Sequence, residues 1–298
     1  MLLKDFIRES VISLKPLYSE GESLRLVQML CEGILGVRGY THVIEPDYRI
    51  DATRLSALRA AMTRLAAGEP VQYVLGYAWF GDYRFNVSPA VLVPRPETEL
   101  LVREAVRIAL PLQKMRSAQG APSVRILDLC TGSGCIAWSL ALEVPGAEVV
   151  ALDISGEALE VAENQPMEVL LREKKAIPPQ FVRADVLDTA NSTSFGTFDI
   201  LVSNPPYVME SEKFAMHRNV LDYEPALALF VPDDDPLIFY RAIASWAVDS
   251  LAEQGCGFVE INEGKGKQTA NAFSIAGLRE CRILQDFHDK DRIVSFVK

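Results

Sequence analysis

A short segment with two consecutive prolines, residues 204–207 (Asn-Pro-Pro-Tyr), directly follows the apolar run 198–202. Two prolines cannot continue a central strand or a helix, so the chain must be stiff and extended here. Their carbonyl groups have no proline N–H to pair with, while Asn204 adds a side-chain acceptor and Tyr207 adds a flat apolar face. Such a segment would form a small socket for a planar –NH2 group. An ordinary proline-rich turn is the alternative, and it would be favoured if the segment stood alone.

A glycine-containing loop, residues 130–134 (Cys-Thr-Gly-Ser-Gly), lies between the apolar run 124–129 and a helical pattern that begins at Cys135. Glycines let a backbone approach a ligand closely, and the first turn of a helix offers free N–H groups. No Lys follows, as a phosphate-binding P-loop would require. Cys130 stands where a dinucleotide-binding loop has its first glycine.

Carboxylates follow two of the predicted strands. Asp153 ends the second strand, 19 residues after Gly134, and Asp185 ends the third. Because open α/β sheets bind ligands at the carboxyl edge of their strands, both side chains are expected beside the glycine loop. A carboxylate there can accept both hydroxyls of a ribose, although Asp153 could instead cap a helix. The set favours a nucleoside cofactor without a pyrophosphate, and S-adenosylmethionine fits.

Strand and helix patterns alternate from residue 124 to the C-terminus. Seven strands are predicted, at 124–129, 148–152, 180–183, 198–202, 257–261, 283–287 and 292–297. Helices between them imply an α/β fold with a mostly parallel sheet covered on both faces. The last two strands are joined only by His-Asp-Lys-Asp, which is too short for a crossover helix, so they should form an antiparallel hairpin.

The first 70 residues carry helical patterns. Ser19 and Glu22 form a capping-box pair, and Leu24 begins the apolar repeat of the helix behind them. Asp51 can cap the next helix and Gly68 can end it. A small N-terminal helical bundle is therefore expected.

Between these regions the pattern changes twice. Residues 72–93 are aromatic and β-branched, and Gly81-Asp82 could turn a hairpin. A helix is predicted from Pro94 to about Ala109, and the polar residues 111–123, with Pro and Gly, are predicted as a loop. The predicted domains are thus 1–71, a hairpin linker at 72–93, and 94–298.

Composition narrows the classes of partner. The net charge is −10, and residues 1–75 hold nine Lys+Arg and nine Asp+Glu, so the remainder carries the whole surplus. A surface that neutralises phosphates is usually basic, so direct nucleic-acid binding is not expected. Five scattered Cys without a C-x-x-C, and three His outside any cluster, indicate a reducing cytoplasm and no metal site. Charged residues near the N-terminus argue against a signal peptide, and no long apolar run predicts a membrane span.

Several segments resemble known families. The Asn-Pro-Pro-Tyr segment is similar to the signature shared by methyltransferases that act on glutamine amides and on adenine N6. Segments spread over nearly the whole chain resemble the release factor glutamine methyltransferases of the PrmC/HemK type. They are Pro-Val-Gln-Tyr-Val-Leu-Gly at 70–76, Phe80-Gly81, Val-Pro-Arg-Pro-Glu-Thr-Glu at 93–99, residues 126–134, Tyr-Glu-Pro-Ala-Leu-Ala-Leu at 223–229, and Asp291-Arg292.

The resemblance implies a Rossmann-like methyltransferase sheet that uses S-adenosylmethionine, with S-adenosylhomocysteine as product. The substrate would be the glutamine of the Gly-Gly-Gln motif of peptide-chain release factors. The helical domain would recognise that factor and residues 94–298 would catalyse the transfer, in a monomer that binds neither nucleic acid nor membrane.

The same resemblance assigns site residues. The cofactor-binding set is Cys130, Thr131, Gly132, Ser133, Gly134, Asp153, Asp185, Val186 and Asn204. The substrate-binding set is Asn204, Pro205, Pro206 and Tyr207, of which Asn204, Pro205 and Tyr207 are the expected catalytic residues. Two positions depart from the family pattern. Cys130 replaces the usual first glycine, and Val186 stands where some members have a Trp, so stacking on adenine would be weaker or supplied elsewhere.

Two other functions compete. An adenine-N6 nucleic-acid methyltransferase shares the Asn-Pro-Pro-Tyr segment, but it predicts a basic region that this sequence lacks. A binding module that has lost turnover is the second alternative, and the intact segment 204–207 argues against it.

Overall fold

The computed structural model describes residues 1–298, which form two compact units. The first comprises residues 1–77 and 216–224, and the second comprises 78–215 and 225–298. The helices are α1 Leu3–Leu14, α2 Glu20–Leu35, α3 Thr41–Ile44, α4 Ala52–Ala66, α5 Val71–Leu75, α6 Glu99–Gln119, α7 Cys135–Glu143, α8 Gly156–Glu163, α9 Glu168–Lys174, α10 Arg218–Leu221, α11 Ile238–Ser250 and α12 Gly266–Ile275. The strands are β1 Tyr77–Phe80, β2 Tyr83–Asn86, β3 Arg125–Leu129, β4 Glu148–Asp153, β5 Gln180–Arg183, β6 Phe198–Ser203, β7 Val208–Met209, β8 Phe230–Val231, β9 Leu251–Glu260, β10 Arg279–Gln285 and β11 Asp291–Val297.

The N-terminal helices begin where the sequence predicts. The Ser19 hydroxyl caps α2 by accepting from Glu22 N at 3.3 Å, and Asp51 Oδ1 caps α4 by accepting from Arg54 N at 2.9 Å. The prediction that Leu24 faces the core is wrong, since it is 37% exposed. Ser23 takes that place, because the buried face of α2 runs four residues back from Val27.

The predicted hairpin turns at Gly81-Asp82, between β1 and β2, as expected. Its predicted start at residue 72 is wrong, since Val71–Leu75 is the short helix α5. Gly76 ends that helix with a φ of +78°, which a glycine adopts without strain. The apolar residues before it are therefore buried as a helical turn instead of a strand.

The central sheet has seven strands in the order β10-β11-β9-β6-β3-β4-β5. The five strands from β9 to β5 pair in parallel, and β11 is antiparallel to both β9 and β10. The predicted α/β fold class and the antiparallel C-terminal hairpin are confirmed. Two buried clusters cover the sheet, one containing Trp138 and the other Trp246. No helix in the chain is both long enough and apolar enough to span a bilayer.

The predicted loop at 111–123 is wrong, because α6 continues to Gln119. Pro111 lies on the exposed side of the helix and removes one backbone donor there. Two tertiary contacts outweigh that loss. Buried Gln113 accepts from Val124 N at 2.7 Å, and Arg116 pairs with Asp199 on β6. The predicted start at Pro94 is also early, since Pro96–Thr98 is a 3-10 turn before α6.

Candidate active site

The carboxyl ends of four parallel strands open into one cavity. Its lining contains nine of the residues predicted from the sequence, namely Cys130, Thr131, Gly132, Ser133, Asp153, Asp185, Val186, Asn204 and Pro206. Residues 90–98 and 225–228 contribute further lining, including Arg95 and Thr98. Gly134, Pro205 and Tyr207, also predicted for the site, are not among the lining residues. The strand ends that carry the predicted residues thus meet at one edge of the sheet, as the βα alternation requires.

The two glycines of the loop 130–134 differ in what they require. Gly132 has a φ of +54°, and nothing lies within 4 Å of the place a Cβ would occupy, so the space above it is open to a ligand. A Cβ on Gly134 would lie 3.0 Å from Ala162 Cβ and 3.0 Å from Trp138 Cδ1. Gly134 therefore serves the packing of α7, whereas Gly132 leaves room in the cavity.

Asp153 connects β4 to the glycine loop. Its Oδ2 accepts from Gly132 N at 2.8 Å, and its Oδ1 accepts from Ser155 N at 2.9 Å. The cap of α8 is Ser155, whose hydroxyl accepts from Ala158 N, so Asp153 is not the helix cap that was the alternative. A carboxylate offers about four acceptor positions, so capacity remains for a ligand beside the backbone N–H groups of Gly132, Ser155 and Ile154. Burial raises the pKa of Asp153 above its ordinary value, against the opposing effect of these backbone donors.

Two hydrogen bonds to the protein hold the loop after β5 in place. Asp185 Oδ1 accepts from Leu187 N at 2.9 Å, and the Val186 carbonyl accepts from Trp246 Nε1 at 2.9 Å. Val186 is buried and presents an aliphatic side chain to the cavity. This edge therefore offers apolar contact where an aromatic ring would stack.

Two side chains of the segment 204–207 form a connected polar network with two side chains behind it. Asn204 Nδ2 donates to Thr98 Oγ1 at 3.2 Å, and Thr98 Oγ1 donates to Glu260 Oε2 at 2.6 Å. Tyr207 Oη donates to Glu260 Oε1 at 3.0 Å. Sequence reasoning missed Thr98 and Glu260 as members of the site. The available signal was Glu260 itself, a single acidic residue inside the apolar strand pattern 257–261.

Glu260 is 2% exposed, and burial raises the pKa of its carboxyl group. The hydrogen bonds from Thr98 and Tyr207, and the nearby Arg292 guanidinium, oppose that rise. Burial and the neighbouring Glu260 carboxylate raise the pKa of the Tyr207 phenol well above its ordinary value, so Tyr207 remains a donor. In its ionised form the Glu260 carboxylate accepts both hydroxyl protons inside the protein.

Two family descriptions match the chain, PrmC N-terminal domain over residues 7–76 and Methyltransferase small domain over residues 109–224. A release factor glutamine methyltransferase from Bacteroides thetaiotaomicron is 39% identical over 290 residues, which are 97% of this chain and 97% of that protein. Another, from Flavobacterium psychrophilum, is 35% identical over 295 residues, which are 99% of each. The chain belongs to the release factor glutamine methyltransferase family. The family predicted from the sequence motifs is thereby confirmed.

A solved structure that matches this chain is that of the protein-(glutamine-N5) methyltransferase (release factor-specific) from Alicyclobacillus acidocaldarius. It is 28% identical and covers 72% of this chain and 99% of its own, with a TM-score of 0.42.

Cys130 stands where the sequence motifs of this methyltransferase family lead us to expect a glycine. Its φ is +62°, in the left-handed region that favours glycine, so the backbone has a conformation that a glycine would adopt without strain. Burial, followed by the charges of Asp153 and Asp128, raises the pKa of the Cys130 thiol well above its ordinary value. The thiol is therefore neutral and poorly nucleophilic, which is consistent with a residue that only lines the cavity.

Proposed function

We propose that this chain transfers the methyl group of S-adenosylmethionine to the side-chain amide nitrogen, N5, of the glutamine in the Gly-Gly-Gln motif of peptide-chain release factors. One observation carries the proposal. A single cavity collects the loop 130–133, Asp153 and the Asn204 amide, in a chain whose full-length relatives bear the name release factor glutamine methyltransferase. We place this reaction in the cytoplasm, where translation terminates.

The lining fits a nucleoside with a short charged tail. Open space over Gly132 allows close approach to the backbone, and the acceptor capacity that remains on Asp153 suits the hydroxyls of a ribose. Val186 would contact the base, and Asp185 lies beside it. When bound, S-adenosylmethionine supplies an electrophilic methyl group on a positively charged sulfur.

The chain's own residues would position and polarise the substrate amide. An amide nitrogen is a weak nucleophile, and its N–H is too weakly acidic for a side-chain base to remove first. The Asn204 side-chain oxygen and the Pro205 carbonyl would each accept one N–H of the glutamine, which orients its nitrogen. Both acceptors would strengthen as the bond from the methyl carbon to sulfur breaks and positive charge grows on that nitrogen, so they favour the transition state over the ground state. The methylated amide cation is strongly acidic and would then release one proton to water. Holding the two bound reactants in the reactive orientation can lower the activation free energy by several kcal/mol more.

Pro206 and Tyr207 would complete the socket. Pro206 lines the cavity, while Tyr207 is held from behind by Glu260 and keeps the segment in place. The N-terminal helices would recognise the body of the release factor, because the glutamine is only the tip of that large partner. This gives residues 1–71 a role in substrate recognition, residues 72–93 the role of a linker, and residues 94–298 catalysis, in a monomer.

The decisive experiment is mass spectrometry of the Gly-Gly-Gln peptide after incubation of release factor with this protein and S-adenosylmethionine. We expect one added methyl group on the glutamine, which Asn204→Ala should greatly reduce. Duplex DNA is incubated in parallel, and methylation of adenine instead of glutamine would contradict the proposal. Comparison of intact factor with the isolated peptide tests recognition, since the helical domain should raise kcat/KM only for the intact factor.

A further inference from the structure

The direction of each proton in the network behind Asn204 can be worked out from the chemistry of its members. An ionised Glu260 can only accept, so the single hydroxyl proton of Thr98 points to Glu260 Oε2. The Thr98 oxygen then has only lone pairs left, and it must accept from its other neighbour. That neighbour is the Asn204 amide, which can only present its –NH2 end at 3.2 Å.

This fixes which way the Asn204 amide is turned. The –NH2 end is held inward by Thr98, and the Oδ1 end, which accepts no hydrogen bond from the protein, belongs to a residue that lines the cavity. The oxygen and nitrogen of an amide are otherwise interchangeable in shape, so only the hydrogen-bond network distinguishes the two orientations. A reversed amide would present donors to the donors of a substrate –NH2 group.

We propose that Thr98 and Glu260 are positioning residues, which set the orientation of the Asn204 amide so that its oxygen faces the substrate nitrogen. This inference rests on the proposed methyl transfer to a glutamine amide. Asn204 donates to Thr98, and Thr98 donates to the Glu260 carboxylate. Both Thr98 and Glu260 are 2% exposed, so water does not compete for these hydrogen bonds.

The position of Thr98 provides a second, independent argument. Thr98 ends the 3-10 turn that precedes α6, and its helical backbone angles (φ −66°, ψ −19°) differ from the extended angles of a threonine that caps a helix. Here the side chain makes no capping hydrogen bond. Its hydroxyl is used for Glu260 and Asn204 instead, so the usual contribution of a cap does not explain why a hydroxyl is present.

The first test compares Thr98→Val with Thr98→Ser in single-turnover methylation of release factor. Valine keeps the shape but removes the hydroxyl, and we expect the rate to fall about ten- to a hundredfold, as for other residues that orient a reactive group from behind. Serine keeps the hydroxyl and should recover the greater part of that loss. Calorimetry should show similar cofactor affinity in both variants, and thermal melts establish that both are folded.

A double-mutant cycle separates positioning from a general structural effect. If Thr98 acts through Asn204, then Thr98→Val should cause little further loss in an Asn204→Ala background. Independent, multiplying losses would overturn the inference, as would equal rates for Thr98→Val and Thr98→Ser.

A second measurement needs no activity. In protein labelled with 15N-asparagine, the Asn204 side-chain signals are those that Asn204→Ala removes. We expect slow hydrogen exchange of these signals in the wild-type protein and Thr98→Ser, and fast exchange in Thr98→Val. Identical exchange in all three would overturn the positioning role. If the wild-type protein does not methylate release factor, the proposed function fails, while this measurement still decides the orientation of Asn204.

Discussion

Gly132 donates its backbone N–H to Asp153 Oδ2 across 2.8 Å, which ties the glycine loop to the end of the neighbouring strand. The carboxylate that would accept the ribose hydroxyls therefore also holds the loop on which the cofactor would lie. Binding and loop geometry depend on the same side chain.

We expect Asp153→Ala to lower the affinity for S-adenosylmethionine about ten- to a hundredfold, because hydrogen bonds to a charged group are worth roughly 1.5–3 kcal/mol each. Asp153→Asn keeps one acceptor oxygen and should have an intermediate affinity. Isothermal titration calorimetry measures both. Affinity equal to that of the wild-type protein would remove Asp153 from the site.

Cys130→Gly and Cys130→Ala isolate the effect of the left-handed backbone at this position. Both variants lose the thiol, but only alanine keeps a Cβ at a φ of +62°. We expect the glycine variant to be more stable by about 1 kcal/mol, since the strain of roughly 1–2 kcal/mol exceeds the extra unfolded-state entropy of glycine. Urea denaturation of the two variants gives the difference, and a more stable alanine variant would contradict this explanation.

Arg116 donates two hydrogen bonds to Asp199, from Nη2 to Oδ1 at 2.6 Å and from Nη1 to Oδ2 at 2.7 Å. Both side chains are partly buried, and Arg116→Ala would leave the Asp199 carboxylate without its ion-pair partner, with only the Arg125 N–H at 2.9 Å to hold it. We expect a loss of about 2–4 kcal/mol in the free energy of unfolding. The matched control is Arg107→Ala on the same helix, whose pair with Glu104 is exposed and worth about 0.5 kcal/mol. Equal losses in chemical denaturation would disprove the structural role of Arg116.

That ion pair also shows where sequence reasoning stopped. The pattern that placed the end of α6 near residue 109 reads local signals, namely Pro111 and the polar residues after it. The partner that holds the helix together, Asp199, lies 83 residues away. A contact at that separation does not change the hydrophobic periodicity of the helix sequence, so it cannot be predicted from that sequence. It nevertheless outweighs the low helix propensity of the residues around Pro111.

The residues of the candidate site likewise fall into those that the sequence could predict and those that depend on long-range contacts. The loop 130–133, Asp153 and Asn204 could be predicted because each directly follows an apolar strand pattern, and the ends of parallel strands meet at one edge. Thr98 comes from the turn before α6, and Glu260 ends β9 within the apolar pattern 257–261 instead of after it, so neither follows a predicted strand. Only folding brings the Thr98 hydroxyl within 2.6 Å of the Glu260 carboxylate. The predicted site residues lie close to where the reaction would occur, whereas the missed ones support them from behind.

Asp128 lies at the buried end of β3, and burial raises its pKa from 3.8 to about 7, partly offset by the Thr131 hydroxyl. Between the unfolded pKa of 3.8 and the folded pKa of about 7, the folded protein therefore holds a proton on Asp128 that the unfolded chain has lost. Stability from this group is fully present below about pH 4 and declines as the pH rises through 7. Relative to the wild-type protein, Asp128→Asn should gain roughly 2–3 kcal/mol in unfolding free energy between pH 5 and pH 8. Denaturation at both pH values tests this, and a difference that does not change with pH would refute it.

The rate of the chemical step should fall at acid pH, which gives the pH profile one acid limb, and it should not require a general base. Glu260 must be ionised to accept from both Thr98 and Tyr207, and burial raises its pKa, so the rate should fall as the pH drops towards that raised value. The charged and titratable groups around it are Arg292, which favours the ionised form, Glu97, which disfavours it, and the phenols of Tyr207 and Tyr240.

Above this limb the rate should stay nearly constant to about pH 9, because Asn204 and the Pro205 carbonyl position the amide without taking its proton. Single-turnover rates across pH 5–9 measure the profile. Glu260→Gln cannot titrate, so it should be slower at neutral pH and should lack the acid limb. A rate that climbs tenfold per pH unit between about 6 and 9 would instead reveal a general base, and the amide would then have to be deprotonated before methyl transfer.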